Sequence, residues 1–172
     1  MDKGKLIWIT GLAGSGKTTI GKQVYSFLKE HNPSTIYLDG DSFRDIMGGS
    51  FGHSREQRFI VAFQIARLCQ YLINQNINVV CTTISLFKEV HQFNREHIQY
   101  YFEIYIYCSF DELIKRDQKG IYSKALKGEL KDVVGIDIPF DEPTNCDFKI
   151  DNTEKIDLDN NVKQILRLIA RK

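Results

Sequence analysis

Residues 11–18 read Gly-Leu-Ala-Gly-Ser-Gly-Lys-Thr, a G-x-x-x-x-G-K-T pattern, and no other stretch of the 172 residues constrains the fold as much. The apolar run Leu6-Ile7-Trp8-Ile9-Thr10 before it reads as a buried strand. After it, Lys17 to Glu30 carries Ile20, Val24, Phe27 and Leu28 at helical spacing. Strand, glycine loop and helix in that order form the setting in which such a loop cradles phosphate. Its glycines let the backbone N–H groups curl inward, and the helix N-terminus adds a positive dipole. The candidate ATP-binding residues are therefore Gly11, Ala13, Gly14, Ser15, Gly16, Lys17, Thr18 and Thr19. Lys17 is expected to reach the β- and γ-phosphates and act in catalysis, with the Thr18 hydroxyl on Mg²⁺.

The rest of the chain continues the alternation. Strands are expected at Thr35–Leu38, Ile77–Thr82, Tyr101–Cys108 and Phe148–Ile150, and helices at Arg55–Asn74, Lys88–Glu96, Phe110–Asp117 and Asp157–Ala170. This predicts an α/β fold of one P-loop kinase domain over 1–172: a five-stranded parallel sheet with helices on both faces. Ligands in such sheets sit beyond the carboxyl ends of the strands. Gln118 to Glu142 fits no element; its four lysines and three glycines suggest a lid, placed at about 118–138.

Composition excludes several classes. Lys and Arg total 23 against 22 Asp and Glu, a net charge of +1, so no global polyanion-binding surface and no nucleic-acid partner are expected. The aromatic stretch Tyr100 to Tyr107 is read as sheet packing, not as a base-stacking platform. No apolar run reaches the 18 residues of a membrane span, and no leader is expected, which together imply a cytoplasmic protein. Cys69, Cys81, Cys108 and Cys146 are isolated, so reduced core thiols are expected in place of a zinc site. His31, His91 and His97 lie on polar stretches and are expected to be solvated.

The loop alone does not separate a kinase from a GTPase. An Asn-Lys-x-Asp base reader is absent, and the third strand ends in Cys81-Thr82-Thr83 without an acid. The acids follow the second strand, at Asp39 and Asp41, with Arg44 three residues on. A carboxylate there faces the γ-phosphate and suits a proton acceptor or a Mg²⁺ ligand; the alternative is a helix cap at Asp41.

These residues lie within a longer pattern that resembles the adenylylsulfate (APS) kinases, which phosphorylate the ribose 3′-hydroxyl of APS. It comprises the P-loop, Asp39-Gly40-Asp41-x-x-Arg44, Ser54 to Arg58, Ile84-Ser85, Arg116-Asp117-x-Lys119-Gly120-Ile121-Tyr122-x-Lys124-Ala125, Gly128-Glu129-Leu130 and Gly135-Ile136-Asp137-x-Pro139-Phe140-Asp141-x-Pro143. The resemblance implies that Asp41 is the general base and that Asp39 assists it or holds Mg²⁺. It implies an acceptor site of Asp41, Arg44, His53, Arg58, Ile84, Ser85, Lys119 and Ile138, with Lys119 acting from the lid. It also implies that Arg116, Asn145 and Cys146 lie near the ATP adenine, and that the chain forms a homodimer. ATP and a small nucleotide are the expected partners.

Departures from that pattern bear on the acceptor. The family grips the acceptor adenine between two phenylalanines, in a G-F-S and an F-T-G-I-D; here the text is Gly52-His53-Ser54 and Val133-Val134-Gly135-Ile136-Asp137. The family's Asn three residues after its Arg is Val61, and its Pro-Tyr-Arg after Ile-Ser is Leu86-Phe87-Lys88. Each base–aromatic stack is worth about 1–3 kcal/mol, so losing two weakens adenine binding by about 10²- to 10⁴-fold. Phe51, Phe59 or Phe140 are the aromatics available to compensate. A diverged branch of the family, from bacterial capsule phosphoramidate clusters, acts on cytidine diphosphoramidate, and the departures resemble that branch. A genuine APS kinase is the alternative. A nucleotide sensor without transfer is a third class, disfavoured because Asp41 and Lys119 are both present.

Overall fold

The computed structural model describes residues 3–49, 51–154 and 157–171. Its strands are β1 (Leu6–Thr10), β2 (Thr35–Asp39), β3 (Asn78–Thr83), β4 (Tyr101–Tyr107) and β5 (Phe148–Asp151). They form one sheet in the order β2-β3-β1-β4-β5, every neighbouring pair parallel. The helices are α1 (Lys17–His31), α2 (Gly40–Ile46), α3 (Arg55–Asn74), α4 (Lys88–His97), α5 (Phe110–Arg116), α6 (Ile121–Leu126) and α7 (Leu158–Ala170).

Period-two alternation on the central strand sorts the helices. Ile7 and Ile9 face one way and pack with Ile20 and Val24 of α1 and Val162, Ile165 and Ile169 of α7. Leu6 and Trp8 face the other way, onto Val61, Ile65 and Cys69 of α3 and Val90 of α4. With both faces covered, β1 is buried along its whole length. Tyr101, Phe102 and Tyr105 are buried in this sheet. Local chemistry sets the helix starts: Ser54 and Gln57 make a reciprocal capping box on α3, and Ser109 and Asp157 cap α5 and α7.

Three expectations are corrected. The segment after α5 is not devoid of structure: it holds a 3₁₀ turn at Gln118–Gly120, α6, and a bridge between Val134 and Ile138. Its base also carries a hydrophobic cluster, in which Tyr122, Val133, Val134 and Ile138 pack with Leu12 and Leu86. A second difference is α2, a helix that the sequence pattern does not predict. Third, His91 is buried at 7% exposure, because β4 brings a carboxylate to meet it. Cys69, Cys81 and Cys108 are buried free thiols. No helix among the described residues is long and apolar enough to cross a membrane.

Candidate active site

The P-loop joins β1 to α1, and its backbone is held to shape from outside. A side chain at Gly11 would run into the Ile106 carbonyl, and one at Gly16, where φ is +103°, would run into the Asn152 amide. Gly16 caps α1 with no side-chain bond, so the first N–H groups of a 15-residue helix stay open to an anion. Three contacts brace the loop: the Asn152 amide donates to the Ser15 carbonyl at 2.7 Å, the Tyr122 hydroxyl to the Ala13 carbonyl at 2.8 Å, and Arg116 to the Gly14 carbonyl at 3.5 Å.

Lys17 Nζ donates to the Leu12 carbonyl at 2.7 Å. Burial pulls its pKa down from 10.5 to about 8, against the opposing pull of the Asp41 carboxylate. The buried Ser15 hydroxyl has no partner in the structure. Thr18 and Thr19 lie on the first turn of α1, and both are exposed.

Asp39 and Asp41 play different roles. Asp39 is the N-cap of α2, accepting from the Ser42 N–H at 2.8 Å and the Ser42 hydroxyl at 3.0 Å. The cap that the sequence left open for Asp41 therefore falls to Asp39. Asp41 projects from the first turn of α2 and meets Lys119 Nζ at 3.2 Å. Lys119 has a left-handed backbone (φ +66°), costly for a residue with a side chain.

Among the described residues, no three of His, Cys, Asp or Glu are grouped to hold a metal ion by themselves. Mg²⁺ asks for less: one or two protein oxygens, with phosphate and water supplying the rest. The Thr18 hydroxyl and a carboxylate of Asp39 fit that demand when ATP brings the ion.

Beyond α2 lies a cationic wall. Arg44 donates to the Phe51 and Gly52 carbonyls at 3.2 and 3.1 Å. Arg58 donates to the His53 carbonyl at 2.7 Å and, across to the segment after α5, to the Asp132 carbonyl at 2.8 Å. Partial burial and the repulsion of Arg44 lower the pKa of Arg58, a cost that an anion between the two would relieve. Burial, followed by the charges of Arg58 and Arg44, also lowers the pKa of His53. The Ile84-Ser85 turn follows β3: Thr10 holds the Ile84 carbonyl at 2.9 Å, and the Ser85 and Thr83 hydroxyls lie 2.7 Å apart. Ile138 is buried at the base of the segment after α5, its N–H on the Val133 carbonyl at 3.1 Å.

The structure thus brings the P-loop, Asp39, Asp41, Lys119 and Arg116 into one locality. It does not bring Asn145 or Cys146 there. Both precede β5, at the end of that strand opposite Asn152. The Asn145 carbonyl accepts from Arg95, and Cys146 packs against the cluster that holds Tyr105. Asn152, at the carboxyl end of β5, does lie there: its carbonyl accepts from Arg116 at 2.7 Å and its amide reaches the P-loop. Asn152 and Tyr122 are the site residues that the sequence reasoning missed. Searching after β5 as after the other strands would have found the first.

Comparison with known proteins matches this geometry. The family profile for adenylylsulphate kinase matches residues 3–151. A cytidine diphosphoramidate kinase of Campylobacter jejuni is 46% identical over 96% of both chains. A probable adenylyl-sulfate kinase of Aeropyrum pernix is 35% identical, over 98% of this chain and 94% of that one. The structure of the Mycobacterium tuberculosis APS kinase in complex with AMPPNP and APS superposes with a TM-score of 0.88 at 27% identity, covering 99% of each chain. The chain is a P-loop phosphotransferase that belongs to the adenylylsulphate kinase family.

Proposed function

We propose that this kinase transfers the γ-phosphate of ATP to the ribose 3′-hydroxyl of cytidine diphosphoramidate. The observation that carries the reading is a selective one. Arg44, Arg58, Ser85, Asp41 and Lys119 keep the family pattern, while the adenine-gripping positions hold His53, Val61 and Val133. The 46% identity to a cytidine diphosphoramidate kinase supports it.

The spare aromatics are engaged elsewhere. Phe59 packs edge-on against Phe63 and Phe87 at 5.0 and 5.3 Å, Phe51 stacks with Phe43 at 6.5 Å, and Phe140 lies in the cluster under the lid. Val61 and Val133 are buried at 3% and 5% exposure. Valines there offer no ring face to a purine, which favours a small base held by polar contacts. His53 suits such a base because its lowered pKa keeps the ring neutral at pH 7, with one nitrogen donating and one accepting. A cytosine edge offers the matching amino donor and carbonyl acceptor.

In the mechanism, the P-loop N–H groups and Lys17 bind the β- and γ-phosphates, and Arg44 and Arg58 take the acceptor's diphosphate. Mg²⁺, when bound, neutralises phosphate charge; Thr18 and Asp39 would hold it. Asp41 accepts the proton of the 3′-hydroxyl as that oxygen attacks, and Lys119 follows the transferring group. The 118–138 segment acts as the lid that excludes water, Arg116 and Asn152 lie at the adenine end of ATP, and the working unit is a homodimer.

The test is incubation with ATP, Mg²⁺ and either cytidine diphosphoramidate or APS, with ADP release measured and the new phosphate located by phosphorus NMR. A 3′-phosphorylated cytidine product supports the reading. Product from APS alone returns the chain to sulfate activation.

A further inference from the structure

Glu103 is a carboxylate buried at 3% exposure on β4, where the sheet meets α4. A charge so placed needs partners. Arg95 Nη2 lies 2.8 Å from one of its oxygens, and His91 Nδ1 lies 3.1 Å from the other. Asp147 shares Arg95 at 3.6 Å. Burial pushes the Glu103 carboxyl up, but bonding and charge from His91, then from Arg95, outweigh it and leave the pKa below the ordinary value. The group is the anion.

The second nitrogen of His91 carries the consequence. Nε2 lies 2.8 Å from the Ser85 carbonyl. A carbonyl only accepts, and so does an ionised carboxylate. Nε2 therefore donates to the Ile84-Ser85 turn, while Nδ1 faces the Glu103 carboxylate. Thr10 ties the neighbouring Ile84 carbonyl back to β1 at 2.9 Å.

We propose that His91 is a positioning residue for the acceptor: seated against Glu103, it clamps the Ile84-Ser85 turn and so places Ser85 for the acceptor's diphosphate end. The inference rests on the reading above that this turn meets the acceptor. His91 itself touches no reacting atom.

Two substitutions separate its two bonds. His91→Gln puts an amide nitrogen near the position of Nε2 and keeps the donor to Ser85. His91→Asn puts one near Nδ1, keeping the Glu103 contact and releasing the turn. A cavity of about 360 Å³ opens beside His91, Arg95 and Glu103, giving either variant room to hydrate what it leaves. Leaving the buried Ser85 carbonyl without its donor corresponds to about 10- to 100-fold. His91→Asn should raise the acceptor KM by about tenfold or more and leave the ATP KM within about twofold, while His91→Gln stays within about threefold for both. Equal acceptor KM values for the two variants, or an ATP KM that rises in step, would overturn the clamp. Should a variant not fold, the wild-type protein answers: ring ¹⁵N signals of His91 should show hydrogen on Nε2, and a bare Nε2 contradicts the proposal. The kinetics use whichever nucleotide the wild type phosphorylates. A wild type that takes only APS therefore removes the cytidine reading, whereas unaffected variants remove only the role of His91.

Discussion

Lys119 and Asp41 meet at 3.2 Å although 78 residues separate them in the chain. One comes from the segment after α5, the other from the first turn of α2. Their side chains are 75% and 82% exposed, so the pair itself contributes at most about 1 kcal/mol. A contact this weak opens easily, which leaves both groups free for the roles proposed for them. Lys119→Ala should lower kcat by at least about tenfold and change unfolding stability by less than about 1 kcal/mol. Turnover assays and thermal melts check both, and a large loss of stability would make Lys119 structural.

Asp41→Asn should cut kcat by about 10²- to 10⁴-fold with little change in ATP affinity, since a proton acceptor acts in the transition state. Asp39→Ala should act differently, because Asp39 also caps α2: it should lower stability by about 1 kcal/mol. If Asp41→Asn loses ATP binding and keeps turnover at saturation, Asp41 is not the base.

Lys17 predicts a proton effect. Its folded pKa is about 8 against 10.5 unfolded, so between those values the unfolded chain binds more protons and this group's contribution to stability rises with pH. The phosphates of ATP reverse the shift by favouring the charged form. ATP binding near pH 8 should therefore take up a fraction of a proton, read by calorimetry in buffers of different ionisation enthalpy, and affinity should weaken above that pH. Lys17→Ala should remove the uptake and nearly all transfer while the protein stays folded.

The lid makes a graded prediction. Its base is packed through Tyr122, Val133 and Ile138, whereas residues 127–131 are exposed. Proteolysis should cut first at 127–131, and an ATP analogue with acceptor should slow that cut at least about fivefold. Equal cutting rates with and without nucleotides count against closure.

Much of this was legible in the sequence because period decides it: β1 buried on both faces and α1 with its apolar stripe follow from residues 6–30 alone. The elements missed are short. α2 spans seven residues and α6 six, too few turns to show a period, and α2 is recognisable mainly by its Asp39 cap. His91 was misread for another reason. A polar residue on a polar stretch is buried here because Glu103, twelve residues on, reaches it from β4, a tertiary event that no local pattern records. Asn145 and Cys146 show the same limit, since only strand direction reveals that they stand at the end of β5 away from the P-loop.

The central claim is the change of acceptor, and its most direct measurement is kcat/KM for cytidine diphosphoramidate and for APS at matched ATP and Mg²⁺. The loss of two aromatic contacts around an adenine predicts a preference of about 10²-fold or more for the cytidine nucleotide. A clear preference for APS would contradict the account of the acceptor pocket.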